Sequence, residues 1–309
     1  MIHIATVHWP HARWVEIQLR YLERNFDEPY RVYAWIDGWS DAEKREHADK
    51  FFYTTDIPIK QHEIKLTLLG DLVAQAAEPD ETIIFMDGDA FPIAPVGPFL
   101  RDKLARHPIV AVRRDENNGD KQPHPSFCVM RAELWRRLPG DWRRGHPWTN
   151  PQGKEVTDVG GNLLHLVTEQ GIDWYPMLRT NKVNPHPLKF AVYEDLVYHH
   201  GGGLTRSAGG RLWRAAKEDK LSRSLRGRLA ERLPKRGGLG QVRKMIHPVR
   251  RYREALAREL GQLDDQVMEL IERDDEFYKQ LIETDRGGEL AEMKAPVLLE
   301  DVKQLSATP

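Results

Sequence analysis

The chain has 309 residues, of which 40% are hydrophobic and 30% are charged, so it can form one large domain with an extension or two small domains. The formal net charge of −1 argues against a protein that coats nucleic acid with its whole surface, and we expect no nucleic-acid partner. Cys128 is the only cysteine, which excludes a disulfide framework and a cysteine-ligated zinc site within one chain.

The compartment is predicted from three features of the sequence. The N-terminal stretch MIHIATVHWP lacks the basic region and long apolar core of a secretory signal. No stretch approaches the roughly 18 consecutive apolar residues that a membrane-spanning helix needs. A single cysteine suits a reducing compartment. We therefore expect a cytoplasmic protein, either free or peripheral at the inner face of the membrane.

Strands and helices are predicted to alternate through the first half of the chain. Helices are predicted at residues 12–26, 40–52, 62–77 and 157–171. The first has apolar residues with helical spacing, the second is a charged run behind Ser40 as N-cap, and the last begins at Thr157 or Asp158 as N-cap and ends at Gly171. Short β-branched and aromatic runs predict strands at 2–7, 30–36, 82–87, 109–114, 126–131, 174–178 and 196–199. This alternation predicts an α/β domain with a mostly parallel sheet flanked by helices.

The charge distribution changes near residue 204. Residues 204–260 contain 17 Lys/Arg and 5 Asp/Glu, whereas residues 261–303 contain 5 Lys/Arg and 13 Asp/Glu. Helices without strands are predicted in this part, so we expect a catalytic domain over residues 1–205 and a helical extension, basic and then acidic, over 206–309. The basic segment fits either an anionic membrane surface or the acidic segment of the same chain or of a dimer partner.

A heptad-like seam lies within the extension, in a helix predicted over 248–283. It indicates either a coiled-coil homodimer or a helix packed on its own chain. Its members are Leu256, Leu260, Leu263, Val267, Leu270, Asp274, Phe277 and Leu281.

Two aspartates follow directly after a predicted buried strand, in the stretch TIIFMDGDAFPI at residues 82–93. Ligands bind outside the carboxyl ends of strands in open α/β sheets, and residues i and i+2 of an extended segment face the same way. Asp87 and Asp89 are therefore expected to converge on a divalent cation, Mn²⁺ or Mg²⁺, whose open positions would accept phosphate oxygens. The alternative is a solvated Asp-Gly turn.

A second polar strand end lies in the stretch LVYHHGGGLTR, at residues 196–206. Histidine is a common ligand of transition metals, so His199 or His200 is a candidate metal ligand. The backbone N–H groups of Gly202 and Gly203 can cradle a phosphate, and Arg206 can clamp one. Together with the carboxylate pair, these residues predict a site for a metal-bound diphosphate.

With these motifs, residues 1–206 resemble the nucleotide-sugar-dependent glycosyltransferases of the GT-A fold. The order of an N-terminal strand, an Asp-x-Asp motif and a late histidine is similar to that of glycogenin-like retaining enzymes. Their late His-x-x-Gly-x-x-Lys motif is matched by His200, Gly203 and Arg206, with arginine for lysine. This match favours His200 over His199. The sequence departs from that branch where PSFCVM replaces an Asn-Ala-Gly strand and where Asp158-Val-Gly160 replaces Asp-Gln-Asp.

The resemblance implies a role for each matching position. Asp89 would bind the metal directly and Asp87 would contact ribose or metal, while Lys65 would approach the diphosphate or donor sugar. The base and ribose would lie near Thr6, Val7 and Asp37. Asp158 would face the acceptor or the sugar, with a helix N-cap as the alternative. Glu194 and Asp195 are predicted to open a helix, and Asp195 is the second candidate for the catalytic carboxylate.

The function expected from this resemblance is metal-dependent transfer of a sugar from a nucleoside diphosphate sugar, with a UDP-sugar favoured, to a sugar or lipid-linked acceptor. The alternatives are a sugar nucleotidyltransferase and a non-catalytic membrane or partner adaptor that acts through the basic helices. The glycine-rich loop that nucleotidyltransferases carry after the first strand is missing, because VHWPHARW stands there. The late histidine motif favours retention of anomeric configuration over inversion.

Overall fold

The computed structural model describes residues 1–8, 12–117, 119–151, 153–201, 218–234, 236–283 and 288–293. The chain divides into two compact units. The first comprises Met1–Asn181 and Phe190–Gly201, and the second comprises Lys182–Lys189 and Gly202–Pro309. The division after Gly201 lies close to the predicted end of the first domain at residue 205, but residues 182–189 belong to the second unit.

A seven-stranded sheet forms the centre of the first unit, in the order β10-β6-β7-β4-β1-β2-β3. Neighbouring strands are parallel except where β7 pairs with β4 and β6. The expected α/β class is therefore confirmed. The strands of the sheet are β1 (Ile2–His8), β2 (Tyr30–Ile36), β3 (Tyr53–Thr55), β4 (Thr82–Asp87), β6 (Ile109–Val112), β7 (His124–Arg131) and β10 (Tyr175–Met177).

A smaller antiparallel sheet lies beside the main one, in the order β11-β12-β5. It consists of β5 (Ala90–Pro92), β11 (Ala191–Tyr193) and β12 (Val197–His199). Because β5 follows β4 after a two-residue turn, this sheet brings the late segment of the domain to the end of β4. A two-stranded ribbon completes the unit, with β8 (Trp148–Thr149) and β9 (Glu155–Val156).

Helices cover both faces of the main sheet, because both faces are apolar. On β4, Ile83 and Phe85 belong to one hydrophobic cluster, and the alternating Ile84 and Met86 belong to a second cluster. This alternation is the pattern of a strand buried on both sides. The helices of the unit are α1 (Ala12–Asn25), α2 (Asp41–Glu46), α3 (His62–Ala76), α4 (Gly97–Leu104), α5 (Ala132–Arg137) and α6 (Gly161–Glu169), with a 3-10 turn at Ala48–Lys50.

Two helix boundaries differ from the sequence prediction. Ser40 is the N-cap of α2, as predicted, through a reciprocal capping box with Glu43, but the helix ends at Glu46. At α6 the N-cap is Gly160, in the left-handed conformation, and the helix begins at Gly161. The predicted caps at Thr157 and Asp158 are therefore wrong, because the chain turns once more before the helix starts.

The second unit is helical where the structure describes it. Residues 218–223 are helical, and they precede α7 (Leu225–Arg232), α8 (Gly237–Ile246), α9 (Pro248–Arg273), α10 (Lys279–Ile282) and α11 (Glu289–Glu292). Among the described helices, none combines the length and apolar composition needed to cross a bilayer.

The heptad seam lies on α9 and the residues that follow it, but the helix ends at Arg273 and not at residue 283. Leu256, Leu260, Val267 and Leu270 are at most 2% exposed within a single chain. A residue that is already buried offers no surface to a second helix, so the seam serves packing within the chain. The coiled-coil alternative is not supported.

His8, at the end of β1, is a buried ionisable group. Its side chain is 1% exposed, and burial lowers its pKa to about 4 despite a hydrogen bond with Gln18 and the charge of Asp89. The folded protein therefore holds His8 neutral at a pH at which the unfolded chain protonates it. A lowered histidine pKa contributes stability that is present above the unfolded value of about 6.5 and is lost as the pH falls towards the folded value.

We predict that His8 makes the free energy of unfolding decrease between pH 6.5 and pH 4, by up to about 3 kcal/mol. Urea denaturation at several pH values should show a shallower dependence on pH for His8→Gln than for the native chain. His165→Gln changes an exposed histidine on α6 and serves as the control. Equal pH slopes for His8→Gln and the native protein would contradict this prediction.

Candidate active site

The carboxyl ends of the parallel strands β1, β2 and β4 lie side by side at one edge of the main sheet. Val7 on β1 is paired with Trp35 on β2 and with Asp87 on β4. Polar residues follow each strand, so ionisable side chains lie together at this edge. Open α/β sheets bind their ligands at the same edge.

Asp87, Asp89 and His199 converge at the end of β4. Each offers a ligand atom, and these atoms all lie within 4.8 Å of one another. His199 Nε2 is 3.7 Å from Asp87 Oδ2 and 3.5 Å from Asp89 Oδ1. Such a group of two carboxylates and one imidazole could hold a metal ion, and its oxygen-rich composition suits Mn²⁺ or Mg²⁺.

The small sheet places His199 in this cluster. β12 pairs antiparallel with β5, so that His199 lies opposite Ala90, the residue after Asp89. The backbone N–H of His200 donates to the carbonyl oxygen of Asp89 at 3.0 Å. A segment more than 100 residues later in the sequence is thus fixed against the turn that carries the carboxylates.

His200 faces away from the carboxylates, and this corrects the preference for it as the metal-facing histidine. Its Nδ1 lies 3.0 Å from the hydroxyl of Tyr198, and its ring packs edge-on against Trp14 and Phe190. Successive residues of an extended segment point to opposite sides, so only one of the two histidines could join the cluster. The structure brings His199 there.

His62, the first residue of α3, is a fourth member of the site that the sequence analysis missed. Its Nε2 lies 2.9 Å from Asp87 Oδ1. Burial alone lowers the pKa of His62, but the hydrogen bond and charge of Asp87, with smaller effects of Asp89 and Glu63, raise it overall. Burial would likewise raise the pKa of Asp87, yet His62 and two further histidines lower it, so Asp87 is held ionised.

The turn between β4 and β5 is held in place by contacts with α1 and β1. Gln18 donates through Nε2 to the carbonyl oxygens of Asp87 and Ala90, at 2.9 and 2.7 Å. A Cβ atom on Gly88 would lie 2.5 Å from the carbonyl oxygen of Val7 and 2.8 Å from Nδ1 of His8. Only glycine lets this turn lie so close to β1, so the positions of both aspartates depend on Gly88.

Lys65 and Asp37 form an ion pair at the end of β2. Lys65 on α3 is fully buried, and its Nζ contacts Asp37 Oδ2 and lies 5.8 Å from the ring of Trp35. The alternative of a solvated helix lysine is therefore wrong. Asp37 is 22% exposed, whereas Thr6 and Val7 are fully buried between β2 and β4. Of these three residues, Asp37 is therefore the one whose side chain reaches the surface at this edge.

A buried polar network extends from the cluster through His124, which is the first residue of β7. The rings of His124 and His199 have centroids 5.8 Å apart. His124 Nδ1 lies 2.9 Å from the hydroxyl of Ser126, and the guanidinium of Arg114 lies 3.2 Å from its Nε2. Burial and the charge of Arg114 lower the pKa of His124 well below its usual value, so this imidazole is neutral.

Asp120 lies next in this network and lines an open cleft. The cleft has a volume of about 760 Å³, and Arg113, Asp115, Asn150 and Trp174 also line it. Burial raises the pKa of Asp120 to about 7, against the opposing charge of Arg114. Neither Arg114 nor Asp120 stood out in the sequence, because both lie in a polar loop that precedes β7.

Asp158 lies two residues before the N-cap of α6 and is 29% exposed. Its Oδ1 accepts from the backbone N–H of Val159 at 2.9 Å and is 3.4 Å from Arg144. Its Oδ2 lies 3.5 Å from Asn117, whose amide also donates to Asp120. Asp158 therefore belongs to the same polar region as Asp120.

Asp195 is exposed in the turn between β11 and β12, where its φ is +51°. The prediction that it opens a helix is wrong, because the segment forms a hairpin. The turn lies at the opposite end of β12 from His199. Gly202, Gly203 and Arg206 lie outside the described residues.

Comparisons with known proteins give weak structural likenesses. No protein-family model and no curated protein sequence matches the chain. Solved structures that resemble it include TarS residues 1–349 of S. aureus in complex with UDP, with a TM-score of 0.35, 11% identity, and coverage of 46% of this chain and 50% of that one. The galactosyltransferase LgtC, in complex with donor and acceptor sugar analogs, resembles it with a TM-score of 0.35 and 13% identity. The match covers 56% of this chain and 73% of LgtC.

A third likeness is to glycosyltransferase GlyE of Streptococcus pneumoniae TIGR4, with a TM-score of 0.38, 11% identity, and coverage of 57% of this chain and 45% of that one. The matched part of the chain thus spans about half the length of the TarS 1–349 and GlyE chains. At TM-scores below 0.5, none of these likenesses bears on function, which has to be inferred from the site itself.

The close approach of Gly88 to β1 leads to a prediction for stability. Gly88→Ala should lower the free energy of unfolding by about 1–3 kcal/mol, because the added methyl group meets backbone that cannot move away. Gly238→Ala is a suitable control, since a Cβ there would meet nothing within 4 Å. Equal unfolding midpoints in urea for Gly88→Ala and the native protein would show that the turn can accommodate a methyl group at this position.

Proposed function

We propose that the protein is a metal-dependent glycosyltransferase on a sheet of the GT-A type. It would transfer a sugar from a nucleoside diphosphate sugar, with a UDP-sugar favoured, to a hydroxyl group of a sugar or lipid-linked acceptor. The observation that carries this proposal is the convergence of Asp87, Asp89 and His199 at the carboxyl edge of the parallel strands.

The cluster has the chemistry of a cation site. Asp89 and His199 are almost fully buried, and Asp87 is 13% exposed. At a separation of 4–5 Å, two carboxylates repel each other by about 3–4 kcal/mol when the effective dielectric constant is near 20. Asp87, Asp89 and His199 would hold Mn²⁺ or Mg²⁺, which would offset the negative charge of the diphosphate as the sugar leaves.

The protein's own residues would do the remaining work on the donor. His62 keeps Asp87 ionised and fixes its orientation. Asp37, held by Lys65, is exposed at the end of β2, where a carboxylate can accept hydrogen bonds from the ribose hydroxyls. Lys65 is buried beside Asp37 and pairs with its carboxylate. This pairing favours a role for Lys65 in orienting Asp37 over direct contact with the donor.

The cleft beside Asp120 is the proposed place of the acceptor. It adjoins the cluster through Arg114 and His124, and its lining includes carboxylates, an amide and the half-buried ring of Trp174. Such a lining suits a sugar, whose hydroxyl groups seek hydrogen bonds and whose C–H faces pack on aromatic rings. Holding the acceptor hydroxyl near the donor is the main contribution that a binding site of this kind can make.

The first test is removal of one ligand. Asp89→Asn should lower turnover by orders of magnitude, because it removes charge that holds the cation while keeping the shape of the side chain. Release of nucleoside diphosphate from a panel of nucleotide sugars, with Mn²⁺ or Mg²⁺, measures this loss. Asp49→Asn, at an exposed aspartate of the 3-10 turn, is the matched control and should retain activity.

Two outcomes would contradict the proposal. Full activity of the native protein in excess chelator would show that the reaction does not depend on a metal. Exchange of pyrophosphate into the nucleotide sugar, with no transfer of sugar, would instead identify a nucleotidyltransferase.

The second test concerns stereochemistry, for which we propose retention. A retaining enzyme needs no protein base at the acceptor hydroxyl, so Asp158→Asn should reduce transfer by only about tenfold to a hundredfold through weaker positioning. An inverting enzyme loses about a hundredfold to ten-thousandfold with its general base. Because these ranges meet, proton NMR of the product decides, and an inverted linkage would contradict retention and make Asp158 or Asp120 the candidate base.

A further inference from the structure

The helical hairpin of α7 and α8, in the second unit, exposes a stripe of large apolar side chains. On α7 they are spaced by four residues, and on α8 by three. The opposite side of each helix carries small buried residues that allow close packing, Gly227 and Ala230 on α7 and Gly240 on α8. The apolar stripe consists of Leu225, Leu229, Leu239, Val242 and Met245, which are 81%, 55%, 55%, 44% and 73% exposed.

Basic residues surround this apolar stripe. Residues 220–258 contain 13 Lys/Arg and only two acids, Glu231 and Glu254. Both acids are already engaged, Glu231 with Arg243 and His247, and Glu254 with Arg250. Other cations of the hairpin and its flanks have no ion-pair partner among the described residues, namely Arg226, Arg228, Arg232, Arg236, Lys244 and Arg251.

A groove lined by basic residues lies between α8 and α9. It has a volume of about 490 Å³, and its lining includes Arg243, Lys244, His247, Arg250 and Arg253. Nδ1 of His247 is buried and has no hydrogen-bond partner among the described residues. Glu254 also lines the groove, and Arg243, Arg250 and Arg253 pair with carboxylates, so Lys244 is the lining cation with no ion-pair partner among the described residues.

We infer that the α7–α8 hairpin docks on an anionic membrane surface. The apolar stripe would enter the boundary between headgroups and acyl chains, and the surrounding arginines and lysines would bind the anionic headgroups. This combination of exposed leucines with uncompensated positive charge distinguishes the hairpin from an ordinary solvated helix pair, which exposes polar residues.

Two other occupants fit the observations less well. A symmetric dimer through this face would bring two strongly basic surfaces together, because the same patch contacts itself in a two-fold interface. Three acids of the segment 261–303 of the same chain pair with cations that lie outside the hairpin. Asp264 pairs with Lys189, Glu276 with Lys279, and Glu289 with Arg273.

The test is flotation of the full-length protein with vesicles of phosphatidylcholine alone or with 30% phosphatidylglycerol. We expect binding to the anionic vesicles only, and a loss of binding at high salt. Leu225→Gln/Leu229→Gln should weaken this binding at least about tenfold, because the apolar stripe no longer enters the bilayer. Ile57→Gln removes an equally exposed apolar side chain in the first unit and should leave binding unchanged.

A second variant tests the charge. Arg226→Gln/Arg228→Gln/Arg232→Gln should weaken binding on the order of 100-fold, at about 1 kcal/mol for each basic residue. Binding that is indifferent to anionic lipid would overturn the inference, as would anionic binding that survives both variants. Sedimentation that shows a dimer broken by Leu225→Gln/Leu229→Gln would also overturn it and assign the stripe to self-association. These measurements need no turnover, so their outcome is independent of the proposed transferase activity.

Discussion

The repulsion between two carboxylates at the end of β4 is the constraint around which the first unit is organised. Asp87 and Asp89 are brought close together where water can do little to screen them. His62 offsets part of this charge from α3, and His199 lies between the two carboxylates from the small sheet. Two distant parts of the chain, α3 and the small sheet, thus place histidines against one short turn. Such an arrangement of close charges is typical of a functional site.

The scaffold holds this turn with groups that are themselves buried and paired. Gln18 binds two of its carbonyl oxygens, and Gly88 allows it to lie against β1. The pairing of β12 with β5 fixes His199 from a distant part of the sequence. Sites whose supporting groups are locked in this way keep their geometry when a ligand arrives, which is the usual basis of electrostatic catalysis. Under the proposed function, this rigidity serves the binding of a diphosphate.

Much of the fold followed from the sequence, because its signals are local. The apolar runs of β1, β2 and β4 and the helical spacing of α1 and α3 each occur within one short stretch, and the structure confirms these elements. The carboxylate pair was found in the same way, since Asp87 and Asp89 follow an apolar strand. The end of α9 was missed because the apolar periodicity continues past Arg273, whereas the helical backbone does not.

The remaining members of the site depend on tertiary contacts that no local pattern encodes. The choice between His199 and His200 depends on the side of β12 that faces the turn, and a strand of three residues gives no reliable parity. His62 looked like an ordinary helix residue, and Arg114, Asp120 and His124 lie in or beside a polar loop. His62 and His124 join the site through Asp87 and His199, which lie more than 20 residues away in the sequence, so only the folded chain reveals their importance.

A crystal of the protein grown with Mn²⁺ and a nucleoside diphosphate would reveal whether Asp87, Asp89 and His199 hold a divalent cation. We expect an anomalous-scattering peak bounded by the carboxylate oxygens of Asp87 and Asp89 and by Nε2 of His199, with the diphosphate beside it. A fully bound nucleotide with no manganese peak between these three side chains, or with the peak elsewhere, would show that they do not form the cation site.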